Sequence, residues 1–184
     1  MGIEIWILDQ IQSIRTPLGD VVMPLITRLG DAGAVWILLA VVLLIVPKTR
    51  RSGAVLAAAL CVDVVLCNGI LKGLFGRIRP CDVNTSIQLL VARPDDFSFP
   101  SGHTAASFAA VAALMLAGER RLWKPVLLLA VFIAFSRMYL YVHYPTDIVG
   151  GVIVGVLSGV AGHLIVSRAE KRNARKGDEK LCQL

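Results

Sequence analysis

Long apolar runs separated by short charged clusters dominate this sequence, and they leave little choice of fold. The runs cover roughly residues 33–46, 53–75, 103–117, 125–141 and 146–166. Crossing a ~30 Å hydrocarbon core takes about 20 helical residues, so the shorter runs are expected to extend by several residues. Inside lipid the backbone must satisfy its own polar groups, which favours helices. Composition agrees: 56% of the 184 residues are hydrophobic, 17% are charged, and mean hydropathy is +0.71. A soluble domain is nearer half apolar and a quarter charged. The expected fold is all-α: one polytopic membrane helical bundle with about five transmembrane helices over residues 1–167. Residues 168–184 then form a basic, solvated and partly disordered cytoplasmic tail.

Residues 1–30 are expected to form short interfacial helices. Ile3, Trp6, Ile7, Ile11 and Ile14 recur at near-helical spacing with Glu4, Asp9, Gln10 and Gln12 between them, a pattern suited to a membrane surface. Pro17 opens a second short segment, and Gly30-Asp31-Ala32-Gly33 breaks the chain before the first long run. Glu4 and Asp9 stand where a cleavable signal would carry basic residues, so none is read here. The last run contains Gly151 and Gly155 at GxxxG spacing, which predicts close helix packing within the subunit rather than between subunits.

The net charge of +6 does not point to nucleic acid, because the cations lie beside apolar runs rather than on a basic face interleaved with aromatics. Lys48, Arg50 and Arg51 occupy one linker, Arg120, Arg121 and Lys124 another. Arg168, Lys171, Arg172, Arg175, Lys176 and Lys180 occupy the tail. Five spans put all three clusters on one side, which the positive-inside rule makes cytoplasmic. The loop 76–102 and the turn 142–145 then face outward, in a multi-pass protein of the cell membrane. Cys61, Cys67, Cys81 and Cys182 show neither metal-ligand spacing nor a disulfide framework.

Three distant stretches reach that outer face with chemistry-bearing residues: Lys72 to Arg79-Pro80, Pro100-Ser101-Gly102-His103, and Ser136-Arg137 through His143 to Asp147. Charges at such depth are costly and are expected to be paired or functional. Lys72 and Arg79, seven apart, share one helix face if the second helix continues that far. With Arg137 they would cradle a dianion, since guanidinium groups bind phosphate oxygens two at a time. Ser101 suits an N-cap, placing free amides and His103 at a helix start that favours anions. Pro145 favours a helix start between His143 and Asp147, whose spacing lets the carboxylate reach the imidazole.

These motifs resemble, residue by residue, the signature of the type-2 phosphatidic acid phosphatase (PAP2) superfamily: Lys, six residues, Arg-Pro; Pro-Ser-Gly-His; and Ser-Arg, five residues, His, three residues, Asp. The resemblance runs from about residue 20 to 166. It implies that His143 attacks phosphorus to form a phosphohistidine, that Asp147 orients His143, and that His103 protonates the leaving oxygen and later assists water. It further implies that Lys72, Arg79, Ser101, Gly102 and Arg137 hold the phosphate oxygens. No metal and no cofactor are implied, since the cations stabilise the charge.

The implied activity is a membrane lipid phosphatase. Small members with a short outer loop resemble undecaprenyl-diphosphate phosphatases, and others resemble phosphatidylglycerophosphate or phosphatidate phosphatases; the outward-facing site favours the polyprenyl diphosphate. A non-catalytic lipid-phosphate binding or transport protein would need the cations but not the nucleophile and its partners. Asp63, mid-span, is read as an interhelical hydrogen-bonding group, and Asn68 either orients Lys72 or contacts another helix. His163 is read as structural. Arg77 and Arg93 are read equally as headgroup contacts or solvated charges, so removing Arg77 is expected to preserve most activity. Asp95 and Asp96 have no nameable partner.

Overall fold

The computed structural model describes residues 2–181, with side chains through residue 176; Cys182 lies outside the described residues. Helix α1 (Ile3–Ser13) buries Ile5 and Leu8 against Cys81, Tyr141 and Tyr144. A bidentate pair from Arg15 to Asp20, at 2.8 and 2.9 Å, closes the turn into α2 (Pro17–Leu29), which Thr16 caps by accepting from the Gly19 amide. The expected break follows: Ala32 (φ 50°) and Gly33 (φ 69°) are left-handed, and α2 meets α3 (Ala34–Ile45) at 44°.

Helix α4 (Arg50–Asp63) continues through a π-wound segment, Val64–Leu71, into the single turn α5 (Lys72–Phe75). Gly76, left-handed at φ 53°, ends that run. A short α6 (Pro80–Val83) begins the loop to α7 (Gly102–Ala117), followed by α8 (Trp123–Tyr139) and α9 (Pro145–Leu181). The chain beyond residue 167 thus continues as helix through Leu181, where an irregular tail is expected from its charge. Ala, Glu, Lys and Arg dominate that stretch, and these are strong helix formers. Its residues through Lys176 are solvated, as expected.

Helix α7 is the hub. Its small residues let α9 approach closely: a Cβ on Gly151 would lie 2.8 Å from the Ser101 carbonyl oxygen, and one on Gly155 only 2.3 Å from that of Ala105. The Gly-rich face therefore packs within the subunit. Trp36, Leu56, Ala109, Ala113, Leu114 and Ile133 form the core between α3, α4, α7 and α8. Away from it, Leu38, Leu128, Val131, Ile153 and Leu157 stand exposed, a lipid-facing apolar surface.

Among the described residues, the helices starting at Arg50 and Pro145 are long and apolar enough to cross a membrane, and α2 with α3 makes a third if that bent pair is one span. Helix α7 is apolar but shorter. This is an all-helical membrane protein. Gly155→Ala should force α7 and α9 apart; the expected loss is about 1–3 kcal/mol, read as a lowered unfolding midpoint in detergent.

Candidate active site

A cavity of about 430 Å³ opens at the end of the bundle where α7 begins and α8 ends. Lys72, Arg79, Gly102, His103, Arg137 and His143 all line it, so the three distant stretches converge and both imidazoles face one space. Asp147 stands behind His143. Ser101, fully buried, anchors the start of α7: its hydroxyl accepts from the Thr104 hydroxyl at 3.0 Å, and its amide donates to the Asp147 carbonyl at 3.1 Å.

His143 sits in the loop between α8 and α9, 1% exposed. Its Nδ1 lies 3.3 Å from Asp147 Oδ2, and its Nε2 lies 3.2 Å from an Arg79 Nη1 donor. With Nδ1 protonated against the carboxylate, Nε2 carries the lone pair. Burial, reinforced by the Arg137 and Arg79 charges and opposed by Asp147, pushes the His143 pKa down to about 3. The ring is neutral at ordinary pH, as a nucleophile requires. The loop is shaped by Tyr141, a left-handed residue at φ 60°, whose buried ring donates its hydroxyl to Asp9 at 2.7 Å.

His103 lies in the first turn of α7, with Nε2 2.8 Å from Asp31 Oδ1. Gly30 makes that approach possible, since a Cβ there would sit 2.9 Å from the His103 ring. A relay supports the backbone: Trp36 Nε1 donates to Ser107, and Ser107 donates to the His103 carbonyl at 2.7 Å. Arg137, 5% exposed, donates to Thr27 at 2.7 Å.

Arg79 donates to the Asp96 and Val142 carbonyls, both at 2.8 Å, and pairs with the Asp96 carboxylate, which Lys72 also holds. Burial would raise the Asp96 pKa, but the Lys72 hydrogen bond and the Arg79 charge outweigh it and hold it near 2. The Asp96 carboxylate thus sits between two cations where an anionic oxygen could bind. Among the described residues no three His, Cys, Asp or Glu side chains assemble as a metal-holding group; Lys72, Arg79 and Arg137 share the cavity lining with the two imidazoles.

A family model described as the PAP2 superfamily matches residues 50–171. The chain belongs to the PAP2 superfamily. It is 31% identical over 121 residues to the undecaprenyl-diphosphatase of Sulfolobus acidocaldarius, covering 66% of this chain and 58% of that protein. It is 36% identical over 117 residues to the lipid A 4'-phosphatase of Bacteroides thetaiotaomicron, covering 60% and 50%. The chain therefore spans about half to three fifths of the length of these curated relatives. The crystal structure of Aquifex aeolicus LpxE superposes with a TM-score of 0.76 at 29% identity, over 88% of this chain and 95% of that one.

Within this PAP2 site several expectations need correction. Lys72 and Arg79 do not share a helix face: Gly76 ends the helix, and Arg79 is extended (φ −74°, ψ 152°) as residues before proline prefer. Both reach the cavity because the chain turns back. Asp63 is not held by an interhelical hydrogen bond: it is 2% exposed, its Oδ1 has no partner among the described residues, and it lines the cavity. In a regular α-helix Asp63 and Lys72 would stand on opposite faces, about two and a half turns apart. The π segment between them has more residues per turn and brings both to one side. Asn68 also lines the cavity, with its Oδ1 3.2 Å from where a Cβ on Gly102 would stand. Asp96, without a nameable partner in sequence, holds both Lys72 and Arg79.

Arg77 is neither a headgroup contact nor a solvated charge. It donates to Asp147 Oδ1 at 2.7 Å, to Thr146 at 2.6 Å and to Glu4 at 2.5 Å, and lies 3.9 Å over the Tyr144 ring. Asp147 is fully buried and also accepts from Ser98 at 2.5 Å and the Tyr144 amide at 2.9 Å. Ser98, Glu4, Thr27 and Asp31 are site-building residues that no short-range motif announces. Contrary to the sequence expectation, Arg77→Ala should cut turnover sharply and cost about 1–3 kcal/mol, with Arg77→Lys recovering part of both. Phosphate-release assays and detergent unfolding curves check this; unchanged turnover would restore the solvated reading.

Proposed function

We propose that this chain is a metal-independent lipid phosphatase that works through a phosphohistidine on the extracytoplasmic face of the cell membrane. The observation that carries the reading is the neutral, Asp147-held His143 facing the same cation-lined cavity as His103. His143 Nε2 attacks phosphorus, and the P–O bond to the leaving group breaks. His103 gives its proton to the departing oxygen and then takes one from the water that cleaves the N–P bond. Lys72, Arg79 and Arg137, with the α7 start at Ser101 and Gly102, hold the equatorial oxygens as charge shifts. Arg79 donates to His143 Nε2 at rest; substrate oxygens draw that guanidinium away and free the lone pair.

The proposed substrate is undecaprenyl diphosphate, released as undecaprenyl phosphate. An outward site and a relative named for that activity support it. The topology proposed is five crossings, with residues 1–30 interfacial. Arg50, Arg51, Arg120, Arg121 and Lys124 lie at helix ends opposite the cavity, and the positive-inside rule makes that end cytoplasmic.

In purified protein, His143→Ala should abolish phosphate release from undecaprenyl diphosphate, and the acid-labile, base-stable label left on the protein by substrate carrying ³²P in its terminal phosphate should vanish with it; full activity in that variant would refute the nucleophile assignment. For topology, a cysteine placed at Asn84 in a chain lacking native cysteines should react with an impermeant thiol reagent on intact cells. Labelling only after lysis would reverse the orientation.

A further inference from the structure

A second cavity of about 370 Å³ adjoins the first and shares His103, Arg137 and Pro94 with it, but not His143. Its other charged lining residues are Arg28, Arg93 and Asp31. Asp31 is already engaged by His103. Arg28 is exposed in the last turn of α2. Among the described residues Arg93 meets only the exposed Asp82, at 2.7 Å, an interaction of little strength in solvent. Arg137 is buried, and its Nε has no partner among the described residues. Three guanidinium groups therefore border one space with a single carboxylate, that of Asp31, whose Oδ1 is paired with His103 in the same lining.

The chemistry of displacement says what belongs there. An in-line attack by His143 sends the leaving oxygen to the opposite side of phosphorus, the side that His103 serves in the reading above, on which this inference rests. The second cavity touches His103 and not His143, so it receives the leaving group. When a phosphate monoester is cleaved the leaving group is a neutral alcohol, which has no use for three arginines. When a diphosphate is cleaved the leaving group is itself a phosphate monoester, and guanidinium groups fit its oxygens.

We propose that the cavity bordered by Arg28, Arg93 and Arg137 is a second phosphate subsite, which holds the phosphate that stays on the lipid and selects lipid diphosphates over lipid monophosphates. In the step it serves, the bond between the terminal phosphorus and the bridging oxygen breaks as the His143 N–P bond forms. The bridging oxygen keeps the electron pair, accepts the His103 proton, and leaves as the lipid monophosphate. Arg28 and Arg93 stabilise the charge on that departing phosphate.

The test compares farnesyl diphosphate with farnesyl phosphate, which share a tail and differ by one phosphate, using the full chain in detergent. Arg28→Ala combined with Arg93→Ala should lower kcat/KM for the diphosphate about tenfold or more and leave the monophosphate within about twofold. Arg28→Lys with Arg93→Lys should recover part of the loss. Equal losses on both substrates would mean general anchoring or folding, and no loss on either would mean solvated charges; each result overturns the subsite. His143→Ala retaining release from both substrates would instead sink the nucleophile reading, so the two failures are distinguishable.

Discussion

Everything at this site depends on burying one carboxylate. Asp147 has no access to solvent, and a bare charge there would be prohibitive without partners. Four groups satisfy its side chain, from the His143 ring, the Ser98 hydroxyl, the Tyr144 amide and the Arg77 guanidinium. Its own carbonyl accepts the Ser101 amide. Through those bonds a single residue fixes the loop before α7, the start of α7, the loop before α9 and, by way of Arg77 and Glu4, helix α1. His143, the proposed nucleophile, is oriented by the same contacts that join the helix ends.

The cations show the complementary economy. Lys72, Arg79 and Arg137 are each nearly buried, a placement tolerated only where charge is compensated. Asp96 compensates the first two from a loop that is half open to solvent. Its carboxylate is held ionised by them, so the resting cavity already contains an anionic group among its cations. Under the proposed function, an incoming phosphate would meet charges arranged before it arrives, the preorganisation on which electrostatic catalysis draws.

The three motifs are legible in the sequence because each ties residue type to short spacing: the His143 and Asp147 pair, the Ser101 cap before His103, and the Pro145 helix start all stand where spacing puts them. The bundle is legible for the same reason, since apolar run length is a direct physical requirement. What escapes is whatever depends on local winding or distant loops. Nothing in Val64–Leu71 announces a π segment, so Asp63 reads as an interhelical hydrogen-bonding group when it shares the cavity with Lys72. Gly76 hides inside the first motif, yet it ends the helix on which Arg79 would otherwise ride. Arg77, Asp96 and Thr27 find partners between 17 and 110 residues away, and no pattern in a single chain encodes such pairings.

The bonds between Glu4 and Thr146 join positions 142 residues apart. During synthesis the first helix emerges long before the loop it clasps, and ribosomes deliver roughly 5–20 residues each second. Helix α1 can meet Arg77 through Glu4 once that loop has emerged, but its bonds to Thr146 must wait until the last hairpin is in place. The proposed reaction centre is then the final part of the molecule to assemble, and a chain truncated before α9 carries both motif-bearing upstream stretches without it.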